Sequence, residues 1–161
     1  MASHHAFVAS ERFASFVEIE KTLITGPPRV ASALIDSEFA PFVEYGVTEV
    51  LTMYLKPSHH PGFAGVWNEF ATKLTKADTK VVALAATGGW LVDDVKHKAL
   101  GENDEEGSGK GFFAAIGWNS VDEHMAFRDT QAFADAIPLM RTNASAVDMH
   151  HTKFRKFEKK A

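Results

Sequence analysis

Two histidines stand side by side near the end of the chain, at positions 150 and 151. They lie in Val147–Phe157, a segment with β-propensity, and consecutive residues of a strand point to opposite faces of a sheet. One of His150 and His151 should therefore face the interior, where an imidazole with a pKa of about 6.5 transfers protons readily at neutral pH. The inward histidine is our first candidate for general acid/base catalysis. The alternative is an edge-strand histidine in solvent.

Three further side chains are candidates for the same chemistry. Glu49 and Tyr54 fall on opposite faces of a predicted strand. An inward Glu49 would have a raised pKa or a cationic partner and would be a plausible base, whereas an outward Glu49 is merely solvated. His124 lies on the flank of a predicted helix, where it either takes part in the chemistry or only ties helix to strand by a hydrogen bond.

Several other kinds of site are excluded. The chain has no cysteine, so it has no thiolate ligand and no cysteine nucleophile. The adjacent pairs His59-His60 and His150-His151 lack the spacing of metal ligands, and Gly107–Gly111 lacks the spacing of a phosphate-binding loop. We therefore expect no metal and no cofactor.

Charge and hydropathy limit the partners. The net charge of −4 provides no basic surface for nucleic acid, and the apolar runs are too short to span a membrane. Met1–Ser10 lacks the basic and apolar regions of a signal peptide. These features favour a cytoplasmic protein with no nucleic-acid partner and no membrane partner.

Two helices are predicted with defined ends. Apolar residues recur at helical spacing over Pro61–Lys76. A second helix should start at Ser120, because the Ser120–Glu123 segment has the pattern of a capping box. We expect this helix to break near Asp129-Thr130 and to end by Pro138.

Four segments around these helices have the composition of strands, and the polar stretch Asp93–Lys110 is typical of a loop. The resulting order β-α-β-β-α-β is that of a ferredoxin-like α+β fold. Residues 1–46 precede it as an N-terminal extension with a short helix expected over Val30–Phe42, and residues 47–161 form the domain. The four strands are Val47–Lys56, Lys80–Val92, Phe112–Trp118 and Val147–Phe157.

The predicted sheet is apolar on both faces, but two crossover helices can cover only one of them. Either the extension or a second copy of the chain must cover the other. We favour the second copy, which gives a homodimer whose two sheets face each other in an α/β barrel. Small residues such as Ala83, Gly88 and Ala114 either leave a lumen there for a hydrophobic small molecule or only let helices pack closely. Larger side chains would line the lumen and bind that molecule: Trp118, Phe112, Phe127, Trp90 and Met53.

Three stretches carry a family resemblance: VTEVLTMYLKP at Val47–Pro57, FFAAIGWNSVDEHMAFRDTQAF at Phe112–Phe133, and VDMHHTKF at Val147–Phe154. They resemble the fungal branch of the dimeric α/β-barrel superfamily, which includes stress-responsive barrel proteins and antibiotic-biosynthesis monooxygenases. The resemblance implies the dimeric barrel fold. It implies less about activity, because the fold hosts cyclases, oxygenases, haem-degrading enzymes and proteins without known chemistry.

The catalytic residues of these relatives do not carry over. The tyrosine and histidine that plant polyketide cyclases of this fold place on the second helix look like Phe127 and Phe133 here, and their first-strand histidine looks like Glu49. The first-strand asparagine of the monooxygenases is missing from Thr48–Tyr54. We therefore expect a small-molecule enzyme of secondary metabolism that performs cofactor-free cyclisation, decarboxylation or isomerisation on an aromatic or polyketide-like substrate. The alternatives are a cofactor-independent or haem-using monooxygenase, and a non-catalytic ligand-binding or stress-response protein.

Overall fold

The computed structural model describes residues 6–26, 30–35, 37–102 and 105–157. The chain divides into two compact units, with the boundary along the sequence between Val30 and Ala31. The first unit contains helix α1 (Glu11–Glu20), which begins after Ser10, whose hydroxyl accepts a hydrogen bond from the Phe13 amide. The second unit contains the sheet and all the candidate residues, and it begins upstream of the Val47 start expected for the domain.

The second unit is an α+β fold with one antiparallel sheet. Its six described strands follow the order β1-β3-β5-β2-β6, with β4 paired to the first residues of β5, and these strands do not close into a barrel. The strands are β1 (Ala33–Ile35), β2 (Val47–Leu55), β3 (Ala85–Leu91), β4 (Val95–His97), β5 (Gly107–Trp118) and β6 (Ala146–Thr152).

Three helices of this unit pack on one face of the sheet: α2 (His60–Thr75), α3 (Val121–Arg128) and α4 (Gln131–Asn143). The apolar stripe that predicts α2 is the buried stripe, with Phe63, Trp67, Phe70 and Leu74 in the core. From Val47 onwards the elements follow the predicted β-α-β-β-α-β order, with β4 added to the hairpin and the second helix divided in two.

The predicted start and break of that second helix are confirmed, but its predicted end is wrong. Ser120 caps α3, because its hydroxyl accepts a hydrogen bond from the Glu123 amide at 3.1 Å. After α3 the chain continues through Pro138 to Asn143 as α4. A proline inside a helix costs about 3 kcal/mol. Residues on both sides of Pro138, Ala136 and Met140, are buried in the core, and this packing favours the longer helix.

Two other segment predictions are corrected. The helix expected over Val30–Phe42 is replaced by β1, an edge strand paired with β3, and by a short 3₁₀ helix, Ala40–Val43. The loop expected over Asp93–Lys110 contains β4 and the first residues of β5, while residues 103 and 104 lie outside the described part. The hairpin was missed because its glycines are typical of loops. At Gly109 the glycine instead allows two strands to approach closely, since a Cβ there would collide with the Leu55 carbonyl oxygen.

The face of the sheet opposite the helices is partly covered by the chain itself. Phe39, Phe42 and Tyr45 precede β2, and Phe39 contacts the ring of Phe113 with 6.2 Å between ring centres. Tyr45 lies so close to Gly117 that a Cβ there would collide with its ring. These aromatic residues belong to the predicted extension, so the extension covers the part of this face that they contact.

Candidate functional site

A cavity of about 370 Å³ lies between the helix-covered face of the sheet and helices α2, α3 and α4. This position differs from the expected lumen, which was placed between the sheets of two protomers. A volume of this size is typical of small-molecule sites. Most of the wall is apolar, and its apolar residues include Leu51, Met53, Trp67, Phe127, Ile137 and Met149.

A carboxyl group lies at one end of this apolar cavity. Glu49 belongs to the same face of β2 as Leu51 and Met53, because alternate residues of a strand share a face. Its side chain lines the cavity and the residue is only 6% exposed. The indole Nε1 of Trp118 donates a hydrogen bond to Glu49 Oε2 at 3.2 Å.

Burial raises the pKa of Glu49 to about 7, because the carboxylate loses most of its hydration. The hydrogen bond from Trp118 and the positive charge of Arg128 oppose this shift without cancelling it. At neutral pH the group therefore holds and releases a proton with nearly equal ease. A carboxyl group tuned in this way is suited to general acid/base work in an apolar site.

His124 lies between Glu49 and His151. Its Nε2 is 3.4 Å from Glu49 Oε2, and its Nδ1 is 2.8 Å from His151 Nε2, within hydrogen-bond distance. The imidazole stacks on the indole of Trp118 with 4.8 Å between ring centres. His124 is therefore buried beside the candidate carboxyl group, and it also joins helix to strand through His151.

Burial, together with the neighbouring His151 and the charge of Arg128, lowers the pKa of His124 to about 4. Between pH 4 and pH 7 the favoured state is an uncharged pair, with a proton on Glu49 and a neutral imidazole at His124. In this state His124 can carry its hydrogen on Nδ1 and donate it to Nε2 of His151, while its unprotonated Nε2 lies 3.4 Å from Glu49 Oε2.

The register of the sheet explains why these groups meet. Glu49 in β2 is directly opposite His151 in β6, so both side chains lie on the helix-covered face. His151 is half-buried and does not line the cavity, so it lies behind His124 at the edge of the sheet. Glu49, His124 and His151 thus form a row from the cavity to the sheet edge. We call this row the acid/base row.

The remaining acid/base candidates lie on the other face. His150 is exposed there, opposite Val50. Tyr54 is buried on that face, donates a hydrogen bond to Asp148 at 2.8 Å and stacks on the ring of His97. Neither His150 nor Tyr54 reaches the cavity.

The five predicted substrate-binding residues divide in a similar way. Trp118, Phe127 and Met53 line the cavity. Phe112 and Trp90 also lie on the helix-covered face, but they pack against each other with 5.0 Å between ring centres and do not reach the cavity. Both belong to the hydrophobic core around α2 rather than to the site.

Two charged residues of the cavity wall were not among the predicted ones. Arg128 and Arg141 line the cavity from the last turns of α3 and α4. Arg128 follows His124 by four residues, a spacing that places both side chains on one side of a helix. That spacing was a usable signal in the sequence. For Arg141 the sequence contained no comparable signal, because the helix was expected to end before it.

The comparisons with known proteins do not identify a family. No protein-family model matches the chain, and no curated protein is significantly similar to it. In the part of the chain that the structure describes, no helix has the length and apolar character needed to cross a bilayer. Among the same residues, no group of three or more histidine and carboxylate side chains is placed to hold a metal ion.

Proposed function

We propose that this chain is an enzyme of secondary metabolism that performs cofactor-free acid/base chemistry on an aromatic or polyketide-like substrate. The observation that carries the proposal is the acid/base row at the end of an apolar cavity. Glu49 lines this cavity, and the row provides a path for its proton. The reference to secondary metabolism rests on the family resemblance.

The three reactions expected from the sequence share one chemical need. Cyclisation and isomerisation of a carbonyl compound remove or return a proton at the carbon beside the carbonyl group, and decarboxylation delivers a proton there. In the proposed step, ionised Glu49 takes this proton, and the electron pair of the C–H bond moves into an enolate. The guanidinium of Arg128, whose charge acts on Glu49, would stabilise the negative charge of that enolate.

The proton then leaves Glu49 along the acid/base row. Glu49 donates it to Nε2 of His124, while Nδ1 of His124 passes its own hydrogen to Nε2 of His151. His124 ends as the other neutral tautomer, and His151 becomes an imidazolium that can lose its proton to water at the sheet edge. In the reverse direction the same row recharges Glu49 as an acid.

The experiment measures deuterium uptake at the methyl group of 2-acetylnaphthalene in D₂O, followed by proton NMR. The wild-type protein should accelerate the exchange over buffer, and Glu49→Gln should lose at least about 100-fold of this rate, because general acid/base groups contribute about 10²–10⁴. His151→Gln should give an intermediate rate, because the last group of the row is missing.

His150→Gln is the matched control, since it removes the adjacent imidazole of the same strand from the opposite face. Its exchange rate should equal that of the wild type. Binding of the ketone without any acceleration would support the non-catalytic ligand-binding alternative. Equal rates in the Glu49→Gln variant and the wild type would reject Glu49 as the base.

We further propose that the second unit is ferredoxin-like and pairs with a second copy in a dimeric α/β barrel. The strand order β3-β5-β2-β6 with its crossover helices supports this proposal. Val50 and Thr52 are only half-buried on the opposite face of the sheet, where a partner would cover them. Light scattering should give a mass near twice 17.7 kDa, and a mass near 17.7 kDa at every concentration would contradict the dimer.

A further inference from the structure

Two arginines line the cavity, and neither lies within ion-pair distance of a carboxylate among the described residues. Arg128 instead lies over the ring of Phe133, 5.8 Å from its centre. The other charged group of the wall is Glu49, which is largely protonated below pH 7. The cavity is thus locally positive in a chain of net charge −4. Such a local field concentrates anions.

The two arginines line the cavity from backbone positions that lie far apart. Arg128 is beside Phe133 at the start of α4, and its charge acts on Glu49. Arg141 lies eight residues further along α4, a distance of about 12 Å at the helical rise. It is followed by Ala144 and Val147, which line the cavity, and Val147 is opposite Met53 rather than Glu49.

Helix dipoles alone do not account for this arrangement. An arginine in the last turn of a helix is favourable whichever way it points, because the C-terminal end carries a partial negative charge. Arg141 is in such a turn, but it also lines the cavity on the same side of α4 as Ile137 and Ala144. A guanidinium over an apolar wall suits a ligand that is apolar along its length and anionic at one end.

We propose that the cavity binds an elongated aromatic carboxylate, with its carboxylate on Arg141 and its other end beside Glu49. This inference rests on the proposed function only for the chemistry at Glu49, since the binding itself requires no turnover. The reverse orientation would bring the carboxylate next to Glu49, where two like charges repel each other when Glu49 is ionised. Arg141 therefore recognises the carboxylate of the ligand. Arg128 remains available to stabilise the negative charge that develops during the reaction.

The test uses isothermal titration calorimetry with biphenyl-4-carboxylate and its neutral isostere biphenyl-4-carboxamide. The wild-type protein should bind the carboxylate about tenfold or more tightly than the carboxamide, because a charge-assisted bidentate contact is stronger than a neutral one. Arg141→Gln should remove this preference and leave the affinity for the carboxamide unchanged. The unchanged affinity for the carboxamide also shows that the variant is folded.

Arg155→Gln is the matched control, since Arg155 is exposed like Arg141 but does not line the cavity. It should keep the full preference for the carboxylate. Equal affinities of the wild type for the two probes, or binding of neither, would overturn the proposed ligand class. A preference that survives Arg141→Gln but is lost in Arg128→Gln would overturn the orientation. The proposed function fails separately, if Glu49→Gln leaves deuterium exchange unchanged.

Discussion

The two faces of the sheet place similar residues in opposite environments. His151 lies on the helix-covered face, where its Nε2 is 2.8 Å from Nδ1 of His124, whereas His150 is exposed on the other face. The carboxyl groups differ in the same way: Glu49 is 6% exposed in the cavity wall, and Asp148 is exposed and accepts a hydrogen bond from Tyr54.

The two faces differ in the part of the chain that packs against them. The helices leave a cavity above Glu49, so the carboxyl group is removed from water and still accessible to a small molecule. On the other face, Phe42 and Tyr45 pack tightly and leave no comparable space above Gly117. On the first face, burial therefore shifts the pKa values of Glu49 and His124, and an apolar cavity lies beside both residues.

The largest effect that we expect from this contrast is a pH-dependent change in stability. The folded-state pKa of Glu49, about 7, is above its ordinary value of 4.5, so folding favours the protonated form. Stability from this group is fully present below pH 4.5 and is lost as the pH rises to about 7. Glu49→Gln has no carboxyl group at this position, so the variant does not lose this stability as the pH rises. The unfolding free energy of the variant minus that of the wild type should therefore increase by about 2–3 kcal/mol from pH 5 to pH 8.

Urea denaturation at the two pH values measures this change, and Asp148→Asn on the opposite face is the control. This control also turns an acid into its amide at an exposed position, and because the amide oxygen can still accept the hydrogen bond from Tyr54, its effect on stability should be about 0.5 kcal/mol or less at both pH values. A difference between Glu49→Gln and wild type that stays constant from pH 5 to pH 8 would mean that Glu49 is not perturbed by burial.

Much of the fold follows from local patterns, but the site does not. Helical periodicity in α2 and the Ser120 cap of α3 are properties of neighbouring residues, and both predictions are confirmed, although the Glu123 carboxylate accepts a hydrogen bond from the Asn119 side chain instead of completing a capping box. The meeting of Glu49 with His151 depends on the register between β2 and β6, which brings together residues about a hundred positions apart. The sequence showed that one of the adjacent histidines faces inward, but it did not show which one.

The cavity was misplaced for a related reason. Alternation along a strand shows that two faces exist, but it does not show which face the helices cover. The aromatic residues Phe112 and Trp90 were therefore expected to bind substrate, although the register places them in the core. Arg141 was missed because the packing of Ala136 and Met140 extends α4 through Pro138, and this packing is a tertiary effect.

The most direct test of the central claim is a titration of the Glu49 carboxyl group itself. Carbon-13 NMR of protein labelled at the glutamate side-chain carboxyl carbon would follow each glutamate from pH 4 to pH 9, and Glu49→Gln would assign the signal of interest by its absence. The account predicts that this signal titrates with a pKa of about 7, as expected for a carboxyl group buried beside Trp118 and His124. A Glu49 signal that titrates near 4.5 would contradict it, because the cavity would then contain an ordinary solvated carboxylate.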